Sequence, residues 1–270
     1  MRLEISYRSE YFYAPAVRGG LTALRLRPSS RSNLEVLEAR LAVSPGEVSA
    51  SYVDAWGTQV DLVEPGRIHA KSTFELTAAV ETRAAEQGAT LRADEAHLYS
   101  RDSSRVRCAA VADLGWSLGG EGSSWSAVES ALRWIPQRFI FLVGATDAET
   151  EIEAVVQRGV GVCQDFAHIL LALLRRWGWC ARYVSGYVFS TRSEATRIEA
   201  EAMHAWVEAY RPGVGWVGLD ATAGDYTDDR YVAVGKGRDY DDVRPIRGVL
   251  IGSPSQRQTS HLVICRAAQE

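Results

Sequence analysis

The chain has 270 residues, 46% of them hydrophobic and 24% charged, a balance typical of folded globular proteins that excludes a disordered or collagenous chain. A formal charge of −4, with no basic block longer than Arg175-Arg176, argues against nucleic-acid binding driven by phosphate neutralisation. The longest apolar run, Ile169 to Leu174, ends at two arginines and is too short to cross a bilayer, so no membrane span is expected.

From Leu3 to about Thr82 the apolar residues recur every second position: Leu3, Ile5 and Tyr7, then Leu24 and Leu26, Leu37 to Val43, and Ile68 to Val80. Turn signals separate these runs at Pro28-Ser-Ser, Ser44-Pro-Gly, Asp54-Ala-Trp-Gly and Glu64-Pro-Gly. Residues 1–82 are therefore expected to form an all-β, sandwich-like module. Residues 83–124 lose this period and are rich in small and polar residues, which predicts a linker with short helices.

A mixed α and β region follows, over 125–270. Helical spacing begins at Trp125, with Val128, Ala131, Leu132 and Ile135, and a second helix is expected after Thr150, whose hydroxyl and Glu153 have capping-box spacing. The strongest helix runs from Cys163 to about Trp177, where Phe166, Ile169, Leu170, Leu173, Leu174 and Trp177 form one stripe. Gly159-Val-Gly-Val allows a sharp entry, and Gly178 ends the helix. Strand-like segments follow at Ala181 to Phe189, Met203 to Tyr210, Trp216 to Asp220, Gly248 to Ile251 and His261 to Cys265. The region reads as α+β.

The four cysteines, at 108, 163, 180 and 265, make neither a CxxC pair nor a disulfide framework, which suits a reducing cytoplasm. Met1 to Ala14 lacks a signal-peptide core and reads as mature protein. The five histidines show no metal-binding spacing, so no metal is expected. Gly159-Val-Gly and Gly235-Lys-Gly complete no phosphate-binding motif, and Tyr183-Val-Ser-Gly-Tyr lacks a serine-hydrolase elbow.

One cysteine has a distinctive setting. Cys163 begins a helix, where unpaired N–H groups favour an anion, and the thiolate is the nucleophilic form. A helix end contributes at most about 2 kcal/mol to an anion, so strong activation also requires an imidazolium partner. His204 is the candidate. Met203 to Tyr210 and Trp216 to Asp220 alternate around the turn Arg211-Pro-Gly-Val-Gly215, which predicts a hairpin. With Tyr210 opposite Trp216, His204 and Asp220 become diagonal neighbours on one face, and the carboxylate can orient the imidazole. A one-residue bulge would separate them.

These segments carry a resemblance. Gly159-Val-Gly-Val-Cys-Gln-Asp-Phe-Ala-His168, Ala181-Arg-Tyr-Val-Ser-Gly-Tyr187, His204-Ala-Trp-Val-Glu208 and Gly215-Trp-Val-Gly-Leu-Asp-Ala-Thr222 resemble the bacterial transglutaminase-like cysteine protease family. The N-terminal β region with Tyr11-Phe-Tyr-Ala-Pro15, and Gly237 to Gly248 near the C-terminus, are similar to further parts of that family. The resemblance implies a papain-like transglutaminase core over 125–270, with Cys163 as nucleophile, His204 as general base and acid, and Asp220 orienting His204. It implies acyl transfer through a thioester on a peptide or protein substrate, with no cofactor. Hydrolysis is the first expectation because water is always in excess, amine transfer the second, and a non-catalytic peptide-binding scaffold the third. The family usually has proline after the aspartate; here Ala221 stands there, which changes no reacting atom.

Other residues receive blander readings. Gln157 has papain-like spacing for an oxyanion donor but reads better as a solvated helix-end residue. His168, about 140° round the helix from Cys163, reads as a packing or surface residue, and Ser190 to Ala202 as a surface loop. Trp206 reads first as core and second as a wall of the site.

Overall fold

The computed structural model describes residues 1–83, 90–117, 122–190, 196–252 and 254–267. Five strands open the chain, β1 (Arg2–Leu24), β2 (Leu34–Ser44), β3 (Glu47–Val53), β4 (Gln59–Glu64) and β5 (His69–Thr82). The helices α1 (Ala93–Tyr99), α2 (Ala112–Ser117) and α3 (Trp125–Arg138) follow. Next come β6 (Ile140–Phe141), α4 (Ile152–Arg158), β7 (Val160–Gly161) and α5 (Cys163–Arg176). The strands β8 (Ala181–Val188), β9 (Arg197–Ala200), β10 (His204–Arg211), β11 (Gly215–Asp220), β12 (Asp225–Tyr226) and β13 (Tyr231–Gly237) come after. The chain ends with α6 (Tyr240–Val243), β14 (Ile246–Ile251) and β15 (Ser255–Arg266).

The first sheet is organised by β1. Its first half lies between β5 and β15, and its second half pairs with β14 and β4. Period-two burial of Leu3, Ile5 and Tyr7 is the expected pattern, and one strand runs on from them to Leu24. The register shifts between Phe12 and Val17, which turns the second half towards different partners. The two last strands thus join the first sheet although their residues fall within 125–270. Their pairing partner lies more than 200 residues away, beyond the reach of local periodicity.

The second sheet has the order β12-β11-β10-β8-β13. On one side α5 packs against β8 and β10, and α3 and α4 pack against α5. Phe166, Ile169, Leu170, Leu173 and Leu174 are at most 1% exposed, each contributing roughly 2 kcal/mol of burial. The helix is buried on its other flank too: His168 and Arg175 are covered, and only Arg176 remains exposed. Val106, Val111 and α6 supply that cover, so residues 90–117 do more than link. Arg175 donates to the carbonyl oxygens of Arg101, Ala181 and Arg238 and to the Ser103 hydroxyl, tying these segments to the end of α5.

Strand β8 serves two cores. Ala181 and Tyr183 pack with α5, whereas Tyr187 and the following Phe189 pack with Leu3, Leu24 and Leu76 of the first sheet. Tyr187 also donates to the Leu26 carbonyl at 2.9 Å.

The second expected helix forms, but without the expected capping box. The Thr150 hydroxyl donates to the Asp147 carboxylate at 2.8 Å and accepts from the Asp147 N–H at 3.0 Å. Glu153 pairs with Arg107 at 2.8 Å, and α4 starts after Glu151 with no side-chain cap. A turn at Asp147 has captured the hydroxyl that a cap would need.

Across the second sheet, Glu208 on β10 meets Arg182 on β8 at 2.7 Å and Lys236 on β13 at 2.9 Å. Burial opposes its charge, but the two cations dominate and hold the carboxyl at about 2, while burial pushes Lys236 down to about 8. The carboxylate's contribution to stability is present above its ordinary range and is lost as pH falls through about 2. Glu208→Gln would leave two largely buried cations uncompensated, and a loss of about 3 kcal/mol in urea unfolding at pH 7 is expected. A loss below 1 kcal/mol would mean that the cluster is solvated.

Candidate active site

The Cys163, His204 and Asp220 side chains come from three elements. Gly161 ends β7 so close to α5 that a Cβ there would stand 2.9 Å from the Asp165 carboxylate. That proximity lets Asp165 accept from the Val162 N–H at 2.8 Å and from the Thr146 hydroxyl at 2.6 Å, anchoring the first turn. Burial raises the Asp165 carboxyl, and these two donors oppose the shift. Cys163 is the first residue of α5 and is half-buried.

The hairpin has the expected register, with Tyr210 opposite Trp216 and Val207 opposite Leu219. It therefore brings the first residue of β10 and the last of β11 together diagonally. The His204 Nε2–H donates to Asp220 Oδ2 at 2.8 Å. Cys163 stands beside the same imidazole and favours its charged form.

Asp220 is only 3% exposed, yet its carboxylate is saturated. Besides His204 it accepts from the Tyr231 hydroxyl at 2.8 Å, and from the N–H groups of Thr222 at 2.8 Å and Ala223 at 3.2 Å. Burial favours the neutral acid, but these donors outweigh it and hold Asp220 below its usual range. Burial likewise opposes charge on His204, while Asp220 and Cys163 raise it to about 10. The pairing with Asp220 and Cys163 thus favours the charged imidazole at neutral pH. Its stabilising effect is complete below the ordinary histidine range and is lost as pH rises through about 10.

Trp206 is both core and wall: it is 2% exposed and stacks on His204 with ring centroids 6.3 Å apart. Gly186, opposite His204 on β8, makes room for it, since a Cβ there would meet the indole at 2.6 Å and the Val232 carbonyl at 2.2 Å. Tyr231 packs against both rings, 5.3 Å from Trp206 and 6.4 Å from His204 between centroids. Sequence reasoning passed over Tyr231 because it lies eleven residues beyond Asp220 on β13, with no hairpin joining the two strands. An alternating strand with a tyrosine at its first position was the available signal.

The remaining sequence candidates lie elsewhere. Gln157 is exposed on α4 and lines neither arm of the cleft described below. His168 is buried, and its Nε2 accepts from the Tyr240 N–H at 3.2 Å, so it is a packing residue kept neutral. Burial pushes it down to about 4. Of Ser190 to Ala202, residues 191–195 lie outside the described residues, and Arg197–Ala200 is strand β9, paired with β15. Burial pushes Cys108 up to about 12 and also raises Cys180.

Cys163 and His204 lie where two arms of a cleft meet. One arm, about 740 Å3, is lined by residues of the core and by Tyr7, Tyr11, Gln258 and Ser260 of the first sheet. The other, about 980 Å3, contains Asp220 and Tyr231 with Phe141, Val143 and Leu262. Glu201, Ala202 and Met203 border both.

Two outcomes are expected. At pH 7, iodoacetamide should modify Cys163 faster than Cys108 or Cys180, with His204→Ala slowing it at least about tenfold; equal rates would exclude an activated pair. Tyr231→Phe removes a donor to the Asp220 carboxylate, worth about 1.5 kcal/mol, and should move the acid limb of Cys163 alkylation up by about one pH unit. An unchanged limb would show that the remaining donors suffice.

Comparisons with known proteins bear on the family and the fold. The Transglutaminase-like superfamily core matches residues 116–221, a span containing all three side chains, and the Bacterial transglutaminase-like N-terminal region matches residues 3–81. The fold superposes on a crystal structure from Cytophaga hutchinsonii, provisionally assigned as a cysteine protease, with a TM-score of 0.81 and 21% identity, covering 100% of this chain and 92% of that one. At that identity the likeness is one of fold. An uncharacterized protein of Mycobacterium leprae is 29% identical over 268 residues, 93% of this chain and 94% of its own. An uncharacterized protein of Mycobacterium tuberculosis is 40% identical over 118 residues, 42% of this chain and 38% of its own. The chain belongs to the transglutaminase-like superfamily, in the bacterial form that carries a β-rich N-terminal region before the core.

Proposed function

We propose that the protein is a thiol-dependent acyl-transfer enzyme that hydrolyses a peptide, amide or isopeptide bond, with Cys163 as nucleophile, His204 as acid and base, and Asp220 orienting the imidazole. The observation that carries this reading is the His204 ring, bonded through Nε2 to Asp220 at 2.8 Å and lining the same cleft as Cys163.

In the first half-reaction the Cys163 sulfur adds to the substrate carbonyl carbon, and the carbonyl oxygen takes the negative charge. The Cys163 backbone N–H, at the start of α5 and with no bond to another backbone group among the described residues, is one donor to that oxyanion. The imidazolium gives its proton to the departing nitrogen, the C–N bond breaks, and a thioester remains with neutral imidazole. In the second half-reaction His204 takes a proton from water, the hydroxyl oxygen attacks the thioester carbon, and the C–S bond breaks. The products are a carboxylic acid and the restored sulfur–imidazolium pair. Asp220 keeps one nitrogen of the ring protonated throughout and stabilises its charge.

Amine transfer is the second reading, supported by the two arms meeting at Cys163, which give a second substrate its own approach. The test is incubation with a set of peptide amides, with and without hydroxylamine, followed by mass spectrometry. The expected result is an acyl adduct on Cys163, conversion of part of the acid product to hydroxamate, and loss of turnover by about 10,000-fold in Cys163→Ala. Turnover that survives in Cys163→Ala would overturn the reading, and amide products exceeding acid at millimolar amine would favour transfer.

A further inference from the structure

The sequence Phe139-Ile-Phe-Leu-Val143 stands between α3 and α4, and only its first residue is buried. Ile140 is 65% exposed, Phe141 48%, Leu142 52% and Val143 67%. Four consecutive apolar residues in water are unfavourable unless something covers them. The segment is nevertheless held in place. The Ile140 N–H donates to the Gly159 carbonyl at 2.9 Å and the Leu142 N–H to the Gly161 carbonyl at 3.0 Å. The Phe141 ring packs edge-on to Phe166 of α5, with centroids 6.1 Å apart.

Phe141 and Val143 reach the 980 Å3 arm, Val143 bordering the other arm as well, and Val188, Met203 and Leu262 make the lining beside Cys163 and His204 mainly apolar, with Glu201, Thr222 and Asp225 at its polar side. Arg230, in the same arm, is already forked onto Asp228 at 2.8 and 2.7 Å. The backbone adds a second feature. β6 and β7 form a two-stranded parallel pair, so the outer edge of β6 pairs with no strand among the described residues. By strand alternation that edge presents the N–H and C=O of Phe141. A free backbone edge next to an apolar trough is the pattern that receives an extended peptide by strand addition, with alternate side chains entering the trough.

The other arm suits the opposite half of the substrate. It is the more polar of the two, with Thr146, Asp147, Gln258 and Ser260 set among Tyr7, Tyr11 and Ile246. A departing amine becomes an ammonium at neutral pH and is better accommodated there.

Building on the acyl-transfer reading, we propose that the apolar arm is the acyl-donor subsite, and that it selects an extended peptide carrying large apolar side chains on the acyl side of the scissile bond. Phe141 and Val143 set this preference, and the outer edge of β6 aligns the peptide backbone.

The test compares the rates at which acetylated tripeptidyl chloromethyl ketones modify Cys163. In one probe the residues before the ketone are leucines, and in the other they are glutamates. Iodoacetamide, too small to fill the arm, reports on the sulfur alone and normalises each rate. The leucyl probe is expected to react at least about tenfold faster than the glutamyl probe. Phe141→Ser and Val143→Ser should each reduce that ratio by about threefold or more. Val249→Ser, which removes an equally exposed apolar side chain on β14 outside the cleft, should keep the wild-type ratio. Equal rates for the two probes at a reactive Cys163, or a ratio untouched by both arm variants, would overturn the subsite assignment alone. An iodoacetamide rate at Cys163 no faster than at Cys265 would instead overturn the acyl-transfer reading, and the subsite with it.

Discussion

The site depends on the packing of α5. A helix that begins at Cys163 is useful for acyl transfer only if its first turn is held against the first residue of β10, and nearly every side chain of this helix is buried to achieve that. The apolar stripe seats it on the sheet. Its polar residues act as fasteners: Asp165 secures the entry from β7, His168 accepts from the backbone of α6, and Arg175 gathers carbonyls from three separate segments. Such polar groups tolerate burial because each finds partners; unpaired, each would cost more than it contributes.

His168 and His204 show how neighbours decide a buried histidine's charge. Both rings are removed from most solvent, and burial alone drives either one neutral. His168 accepts a backbone N–H, a role that requires an unprotonated nitrogen, and burial prevails. His204 donates directly to a carboxylate that four donors hold ionised, with a sulfur nearby, and the charged form prevails. The same logic holds Glu208 ionised beneath the sheet between Arg182 and Lys236.

The first sheet is part of the cleft as well as a neighbour of the core. Strand β15 lies beside β1, and Gln258 and Ser260 on it, with Tyr7 and Tyr11 on β1, wall the more polar arm. Strand β9 joins the outer side of β15 and leads directly through Met203 into His204. The chain therefore passes from the N-terminal sheet to the imidazole with little slack, and the second hydrophobic core, shared by Tyr187, Phe189 and Leu24, joins the sheet to β8.

Much of this was legible locally. Helical spacing after Cys163 and alternation on both sides of Arg211-Pro-Gly-Val-Gly215 were enough to place a cysteine at a helix start and to set His204 diagonal to Asp220, because period and register are encoded by residues within one or two turns of each other. The same alternation identified the β-rich first eighty residues. Tyr231 on Asp220, the covering of His168 and Arg175, the return of β15 to β1 and the two arms of the cleft were decided only by the tertiary structure. Each joins groups whose proximity depends on how separate layers pack, and periodicity carries no record of which distant surface will cover a given face. The missing cap at Thr150 is a local matter: two local geometries competed for one hydroxyl, and the turn at Asp147 took it.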